Sequence, residues 1–329
     1  LDAYLAGEAQ PGLFFPNAWE SVVYRGRVWG IPLSYDVWFQ LYYRPDLFRQ
    51  AGLDPNRPPT TWEELYEYGQ RLTRPPDQYG IGLLGGRGED TVVSVNAFIF
   101  SNGGQVVDLQ QRRATINQPA AVEAIEFYRR LAEIAPPGTA TRRELDAARL
   151  FVEGRVAMVL LGSWQQDTFR ALSPLSEMAP IATPTPAAPG SNQTPRRDFA
   201  WAVALPPAPA GKTFHGTLGG WNGVLFRASP HKAQAWSYLR FLGRSDVQLT
   251  VASLIPARWE AGQEFVRRER RAPEVILSTL NTGKSRPLLP TYSQISAIQQ
   301  EMLQEIWAGA PVQEAADRAA AAIDAVLER

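Results

Sequence analysis

The stretch 26–48, GRVWGIPLSYDVWFQLYYRPDLF, constrains the fold more than any other part of the sequence. It opens with a β-rich run at 28–31 and reaches Pro32, which fixes φ and cannot donate to a sheet ladder. A polar patch at 34–36 separates this run from a second strand-like run at 37–43, dense in aromatic and β-branched residues. Because no turn signal folds the two runs into a hairpin, we expect the chain to pass here between two sheets. The polar patch would then lie at the floor of a cleft between domains, where ligand sites tend to form.

Length and charge narrow the class of protein. With 329 residues the chain is long enough for two domains. Its formal net charge is +0 at pH 7, which argues against nucleic acid or an anionic membrane as an electrostatically driven partner. The absence of cysteine excludes a disulfide framework, a thiolate zinc site and a thiol nucleophile. No stretch of the sequence is long and apolar enough to span a membrane, and no signal peptide is visible.

Strand and helix signals alternate along the chain, which predicts an α/β protein with parallel sheets. Residues 61–64, TWEE, form a capping box that opens one helix. The buried-strand candidate at 155–161, RVAMVLL, ends in a Gly-Ser-Trp turn that places Trp164 at the carboxyl end of a strand, where open α/β sheets present ligands. A second glycine kink, at 218–226, enters another strand. The Pro- and Ala-rich segment 181–209 predicts a long surface loop with a strand near its end.

One apparent nucleotide motif is rejected. Residues 80–85, GIGLLG, formally match the dinucleotide-binding fingerprint. The run follows a break at Pro75-Pro76, and Gly86-Arg87-Gly88 stands where a helix should begin. We therefore interpret 80–85 as a strand or loop under tight packing.

Residues suited to enzymatic chemistry are scarce. His215 and His231 are the only histidines, and neither lies near a nucleophile elbow. The pairs Glu63-Glu64 and Glu89-Asp90 could flank a glycosidic bond, but we assign the first to a helix cap and the second to a first helical turn, where acidic residues suit the dipole. With no phosphate loop, EF-hand or zinc-binding motif, we expect no cofactor, metal ion or catalytic residue.

A set of aromatic and polar residues at turns remains, and its chemistry suits sugars. A pyranose lays its C–H face on an indole, and its hydroxyls bond to carboxylate, amide and guanidinium groups. The set comprises Tyr35, Asp36, Trp38, Asn96, Trp164, Trp221, Asn222 and Arg258. Among the tryptophans, Trp29, Trp38 and Trp236 are expected in the core. Trp164 and Trp221 stand next to glycine at turns, so we expect them to bind ligand.

The order of these motifs resembles the maltose-binding-type carbohydrate binders among the extracellular solute-binding proteins of ABC importers. The resemblance begins with YRGRVWGIP at 24–32 and continues through LYYRPDLF at 41–48 and PPTTWEEL at 58–65. It extends to FVEGRVAM at 151–158 and IPAR at 255–258. No single motif is decisive, but their order and spacing together are specific.

The resemblance implies two α/β lobes, each a mostly parallel sheet flanked by helices, that close on ligand by hinge motion. Family members carry a strand-helix-strand portion before the region resembling residues 1–17, so the N-terminal lobe is expected to be incomplete at its start. The implied division is an N-terminal lobe of 1–34 and 219–284, a C-terminal lobe of 35–218 and 285–329, and crossings near 33–38, 215–222 and 283–290.

The resemblance also implies a function. It makes the chain the non-catalytic substrate-binding component of an ABC importer, a monomer that captures a sugar or oligosaccharide outside the cytoplasmic membrane, in the periplasm or on a lipid anchor. Its partners would be permease subunits and not nucleic acid. Asp36 stands where members use an acidic residue for sugar hydroxyls, and Trp164 where they use a stacking tryptophan. The predicted ligand-binding residues are Tyr35, Asp36, Asn96, Ser163, Trp164, Gly220, Trp221, Asn222 and Arg258.

Three alternatives stay open at this point. Arg258 could hold a phosphate, which would make the chain a glycerol-phosphate-type polyol binder of the same fold. A carbohydrate-active enzyme would need a pair of carboxylates facing each other across the cleft. A docking module without a small ligand would bury Trp164 and Trp221 away from any cleft.

Overall fold

Two separate β-sheets organise the computed structural model, which describes residues 10–172 and 200–328. The strands are β1 (Val23–Tyr24), β2 (Arg27–Val28), β3 (Ile31–Trp38), β4 (Gln40–Tyr43), β5 (Tyr79–Gly82), β6 (Val107–Asp108), β7 (Arg113–Ala114), β8 (Val156–Leu161), β9 (Ala202–Ala204), β10 (Thr217–Gly223) and β11 (Lys284–Ser285). The first sheet has the order β11-β10-β3 and the second the order β5-β8-β4-β9. Two-stranded ribbons, β1-β2 and β6-β7, stand beside them.

Helices cover the sheets and follow the predicted alternation. They are α1 (Pro16–Glu20), α2 (Pro45–Gln50), α3 (Trp62–Leu72), α4 (Glu89–Ser101), α5 (Pro119–Arg130), α6 (Glu144–Val152), α7 (Gln165–Leu172), α8 (Lys232–Leu242), α9 (Ser245–Val251), α10 (Trp259–Glu269), α11 (Pro273–Thr282), α12 (Tyr292–Trp307) and α13 (Val312–Leu327). Short 3₁₀ turns lie at Pro11–Leu13, Leu131–Ile134 and Thr139–Thr141. None of the helices in the described ranges is both long and apolar enough to cross a membrane.

Each sheet has its own apolar core, which divides the molecule into two lobes. The first lobe contains the three-stranded sheet, with a core that includes Phe15, Ile31, Val37, Leu218, Phe265 and Ile276. The second lobe contains the four-stranded sheet and the larger core, to which α3, α4, α5, α12 and α13 contribute. The two-lobe α/β architecture is confirmed, while the residue boundaries given above for the lobes stay a prediction.

The chain passes between the two sheets within 26–48, but it does so after Trp38, and the polar patch at which the sequence predicts the crossing forms no kink. β3 belongs to the first sheet and β4, which follows it after one residue, to the second. Residues 34–36 lie inside β3, paired with β10 from Trp221 to Gly219. β10 pairs with one edge of this stretch, and on the other edge the Tyr35 N–H donates to the Ile255 carbonyl at 2.8 Å. The side chains alternate between the two faces, so polar residues need no break in the strand. Pro32 lies by the register shift between Trp221 and Asn222, a bulge position that tolerates proline.

Both sheets are mixed, which corrects the prediction of mostly parallel sheets. β10 runs parallel to β11 and antiparallel to β3. β8 runs parallel to β5, whereas β4 is antiparallel to both β8 and β9. β4 enters its sheet straight from the interlobe crossing and not through a crossover helix, so the parallel direction of βαβ units does not apply to it.

Tight packing explains the glycines of the rejected nucleotide motif. Residues Tyr79–Gly82 form β5, as the strand interpretation predicts. A Cβ on Gly80 would lie 2.4 Å from the Cα of Gly69 in α3, so the strand and helix backbones touch here. The predicted surface loop at 181–209 lies mostly outside the described residues; its described end contains β9.

The predicted capping box at the start of α3 is confirmed, with one change of partner. Thr61 Oγ1 accepts a hydrogen bond of 3.1 Å from the Glu64 N–H. Glu64 reaches back to Thr60 and not to Thr61, since its Oε2 accepts from the Thr60 N–H and hydroxyl at 2.8 Å each. These bonds satisfy donors that the first helical turn leaves unpaired.

Replacing the cap should measurably weaken the second lobe. We expect Thr61→Ala to lower the free energy of unfolding by about 1 kcal/mol, because a first-turn N–H loses its acceptor. Urea unfolding measures the effect, and Thr213→Ala is the control because Thr213 is exposed in a loop. Equal midpoints for the two variants would contradict the cap's role.

Candidate functional site

A cleft of about 370 Å³ opens between the lobes beside the crossing. Its first-lobe wall consists of alternate residues of β3 and consecutive residues of β10. Its second-lobe wall comes from the amino-terminal ends of α4 and α6 and the turn after β8. The lining residues are Ser34, Asp36, Trp38, Glu89, Asp90, Val93, Glu144, Trp164, Leu218, Gly219, Gly220, Trp221, Leu254 and Arg286.

Asp36 lies in the floor of the cleft and is 5% exposed. Its Oδ1 accepts a hydrogen bond of 2.7 Å from the Val37 N–H, and the Ser163 hydroxyl lies 2.8 Å from Oδ2. Burial raises the pKa of the Asp36 carboxyl to about 6, although these hydrogen bonds and the positive charge of Arg270 act in the opposite direction. The carboxyl therefore gains and loses its proton near neutral pH. Ser163 follows β8, so this contact joins the two lobes.

Trp164 is held in a fixed orientation at the second-lobe wall. Its Nε1 donates to Glu144 Oε1 at 2.6 Å, and its ring packs edge-on against Trp38 with centroids 4.8 Å apart. Gln165 Nε2 donates to the same Glu144 oxygen at 2.6 Å. Burial raises the pKa of Glu144 against these two hydrogen bonds. The indole is thus oriented before any ligand arrives.

Trp221 supplies the first-lobe counterpart. It lies on β10, lines the same cleft and is 71% exposed. The backbone N–H of Trp221 donates to the Ser34 hydroxyl at 3.1 Å, which joins this residue to β3. A large aromatic side chain left open at a cleft is a surface that a ligand ring can cover. Trp164 and Trp221 therefore line one cleft from opposite lobes.

Two further carboxylates of the cleft are paired with arginines. Glu89 accepts from Arg286 Nη1 at 2.8 Å and from the Tyr292 hydroxyl at 2.6 Å. Asp90 forms an ion pair of 2.7 Å with Arg143. Both are in the first turn of α4, as the sequence predicts for a pair that suits the helix dipole.

Five of the predicted ligand-binding residues are absent from the lining of this cleft: Ser163, which bonds to the lining residue Asp36, and four others. Tyr35 is 4% exposed and stacks on Phe15 at 5.2 Å, because alternation along β3 turns it to the first-lobe core; burial raises its pKa. Asn96 is fully buried in α4, three residues beyond Val93, the last residue of that helix in the cleft lining. Neither residue is in the cleft lining, although Tyr35 lines a smaller cavity that shares Ser34, Gly219, Gly220 and Arg286 with the cleft. A ligand-binding role for Tyr35 and Asn96 stays a prediction.

The other two misplaced residues contact protein groups elsewhere. Asn222 is exposed beyond the β-bulge, and its Nδ2 donates to the Ser21 hydroxyl at 3.1 Å. Arg258 donates to the Gly243 carbonyl and lies over the Phe14 ring at 5.2 Å, and burial lowers its pKa. Its guanidinium packs the first lobe and does not reach the cleft lining. The remaining predicted residues, Asp36, Ser163, Trp164, Gly220 and Trp221, line the cleft or bond to a residue that does.

Sequence reasoning misassigned one tryptophan and missed several cleft residues. Trp29 is 55% exposed, so the core prediction is wrong for it. Trp38 packs against the second-lobe core and Trp236 against the first-lobe core, as predicted, but Trp38 also lines the cleft. Alternation from Asp36 could have identified Trp38. Glu144 gave no local signal, because its contact with Trp164 exists only in the folded chain. The missed lining residues with polar side chains are Ser34, Glu89, Asp90, Glu144 and Arg286.

The side chains of the described residues were also compared with the needs of a metal site. Across residues 10–172 and 200–328, no group of three or more histidine, aspartate or glutamate side chains could hold a metal ion.

Gly220 permits the close approach of β10 to β3 under the cleft. A Cβ on Gly220 would lie 2.0 Å from the Ser34 carbonyl oxygen, whereas a Cβ on Gly219 would meet only the end of the Arg286 side chain, at 3.0 Å. We expect Gly220→Ala to lower the free energy of unfolding by about 3 kcal/mol and Gly219→Ala by less than about 1 kcal/mol. Urea unfolding of the two variants tests this, and similar losses would contradict it.

Comparisons with known proteins agree with this geometry. A model of the bacterial extracellular solute-binding protein family matches residues 1–249. A binding protein of Brucella abortus (strain 2308) is 24% identical over 337 residues, covering 100% of this chain and 75% of that protein. An ABC transporter solute-binding protein of Thermotoga lettingae, bound with α-D-tagatose, is 27% identical with a TM-score of 0.83, over 99% of this chain and 79% of that chain. Maltose-bound MalE3 of T. maritima is 26% identical with a TM-score of 0.77, over 99% of this chain and 78% of that chain.

Proposed function

We propose that this chain, which belongs to the bacterial extracellular solute-binding protein family, binds a sugar or oligosaccharide in the cleft between its lobes. It is a substrate-binding component of an ABC importer. The observation that supports a sugar is the pairing of Trp164 and Trp221, one from each lobe, around a cleft with carboxylates in its wall. The tagatose and maltose complexes of its structural relatives point to the same ligand class.

The arrangement can bind a sugar ring in two complementary ways. Indole faces take the C–H face of a pyranose, while Asp36 and Glu144 accept hydrogen bonds from its hydroxyls. Because the tryptophans belong to different lobes, rotation about the crossings would bring them together on the ring. The hydrogen bond from Ser163 to Asp36 already joins the two lobes at the floor of the cleft, beside the crossing about which they would rotate.

We further propose that the chain is a non-catalytic monomer that acts outside the cytoplasmic membrane. Its partners are permease subunits, to which it delivers its ligand, and it does not bind nucleic acid. Every carboxylate of the cleft accepts hydrogen bonds from protein donors, as suits a binding surface. Arg258, on which the polyol-phosphate alternative depends, packs elsewhere in the first lobe. Trp164 and Trp221 line the cleft, which disfavours a docking module without a small ligand.

Ligand titration of the full chain tests the proposal. Tryptophan fluorescence and calorimetry would be recorded against monosaccharides, oligosaccharides, polyols and glycerol phosphates, with glycoside hydrolysis assayed in parallel. We expect saturable sugar binding without turnover. Hydrolysis of any glycoside, or binding restricted to glycerol phosphates, would overturn the proposal.

A further inference from the structure

The cleft has more negatively charged than positively charged side chains, and the excess negative charge lies at Asp36 and Glu144. Of the four carboxylates in the lining, Glu89 is paired with Arg286 and Asp90 with Arg143. Asp36 and Glu144 accept hydrogen bonds only from neutral donors: a hydroxyl and a backbone N–H for the first, an indole and an amide for the second. The cleft therefore has two carboxylates in excess of its cations.

Arg270, whose positive charge acts on Asp36, does not remove this excess. Arg270 is buried, but its Nη1 forms an ion pair of 2.9 Å with Asp167. The two form a neutral unit, so their net effect on the cleft is small. Burial raises the pKa of both Asp36 and Glu144. The positive charges that act in the opposite direction, Arg270 on Asp36 and Arg143 on Glu144, belong to ion pairs with Asp167 and Asp90.

Glu144 has an oxygen available for a ligand. Its Oε1 accepts from both Trp164 and Gln165, and among the described residues no hydrogen bond reaches its Oε2. The side chain lines the cleft beside the Trp164 indole. A carboxylate oxygen without a protein donor suits an ammonium group, which makes a charge-assisted hydrogen bond to it.

From this geometry we infer that the cleft selects a carbohydrate bearing a protonated amine, an amino sugar, and that Glu144 is the residue that recognises the amine. The inference rests on the proposed function and narrows its ligand class. A cation on the ligand would offset the excess negative charge, and a neutral hydroxyl would not. A sugar acid or sugar phosphate would add a further negative charge to a partly desolvated site and be repelled.

Matched sugars test the inference on the wild-type chain. Glucosamine, N-acetylglucosamine and glucose form one set, the galacto sugars a second, and chitosan disaccharide, N,N′-diacetylchitobiose and cellobiose a third. At pH 6.5 we expect the amine of at least one set to bind tenfold or more tightly than its acetylated and hydroxyl counterparts, and glucuronate not to bind.

The outcomes separate this inference from the function on which it rests. Neutral sugars that bind as tightly as their amines, or binding confined to neutral sugars outside the sets, would overturn the amino-sugar inference and leave sugar binding standing. Failure of every sugar to bind would overturn both.

A single variant tests whether Glu144 is the residue that causes the preference for amines. Glu144→Gln keeps an oxygen for the Trp164 and Gln165 donors but removes the charge, so the ratio of amine affinity to neutral-sugar affinity should fall at least fivefold. Glu153→Gln is the matched control, because Glu153 is exposed just after the far end of α6. An unchanged preference in Glu144→Gln would overturn the role of Glu144.

Discussion

Trp164→Ala should weaken sugar binding by a factor of about 30 to 150. The substitution removes the aromatic face from the second-lobe wall and the donor that holds Glu144 Oε1 at 2.6 Å. Loss of stacking and of a hydrogen bond to a charged group together correspond to roughly 2–3 kcal/mol. Trp38 also loses its edge-on partner, so the remaining wall is less ordered. Calorimetric titration with the best ligand of the panel measures the loss.

Two further variants separate the ring from its hydrogen bond. Trp164→Phe keeps an aromatic face but has no N–H, so its affinity should lie between those of the wild type and Trp164→Ala. Trp29→Ala is the control for removing an indole, because Trp29 is 55% exposed and lies outside the cleft lining. If Trp29→Ala lost as much affinity as Trp164→Ala, the stacking role would be wrong.

Ionisation of Asp36 should destabilise the folded chain by about 3 kcal/mol as the pH rises from well below 3.8 to 7, with about 2 kcal/mol of this between pH 4 and pH 7. Its pKa is about 6 in the folded chain, against an ordinary value of 3.8. Because the folded pKa is raised, folding favours the protonated form; that contribution is fully present below pH 3.8 and is lost as the pH rises through about 6. A difference of about 2.2 units corresponds to roughly 3 kcal/mol. The charged groups near it, Arg270 and Asp167, form an ion pair of 2.9 Å with each other.

Comparison with Asp36→Asn isolates this effect from the other carboxyls. The asparagine carbonyl can accept from the Val37 N–H, but the side chain cannot ionise. Urea unfolding of both proteins at pH 4, 5, 6 and 7 should show the variant gaining stability relative to the wild type as the pH rises, with most of the gain before pH 7. A stability difference that does not depend on pH would show that Asp36 titrates normally.

The sequence by itself determined the features that depend on neighbours along the chain. The crossing after β3 follows from two strand-like runs without a turn between them, and the cap at Thr61 from side chains three residues apart. The Gly-Ser-Trp turn after β8 placed Trp164 correctly, because a buried strand must end where the glycine breaks it. The order of such local signals was enough to indicate the two-lobe fold and the binding family.

Only the tertiary structure decided which side chains meet in the cleft. Tyr35 and Asp36 are adjacent in the sequence, yet the pleat of β3 sends one to the core and the other to the cleft. Glu144 reaches Trp164 only because α6 packs beside β8, and Arg258 is occupied by a carbonyl fifteen residues away. Contacts of this kind depend on strand register and on how the two lobes face each other. Those relations join residues far apart in the chain, so no local pattern encodes them.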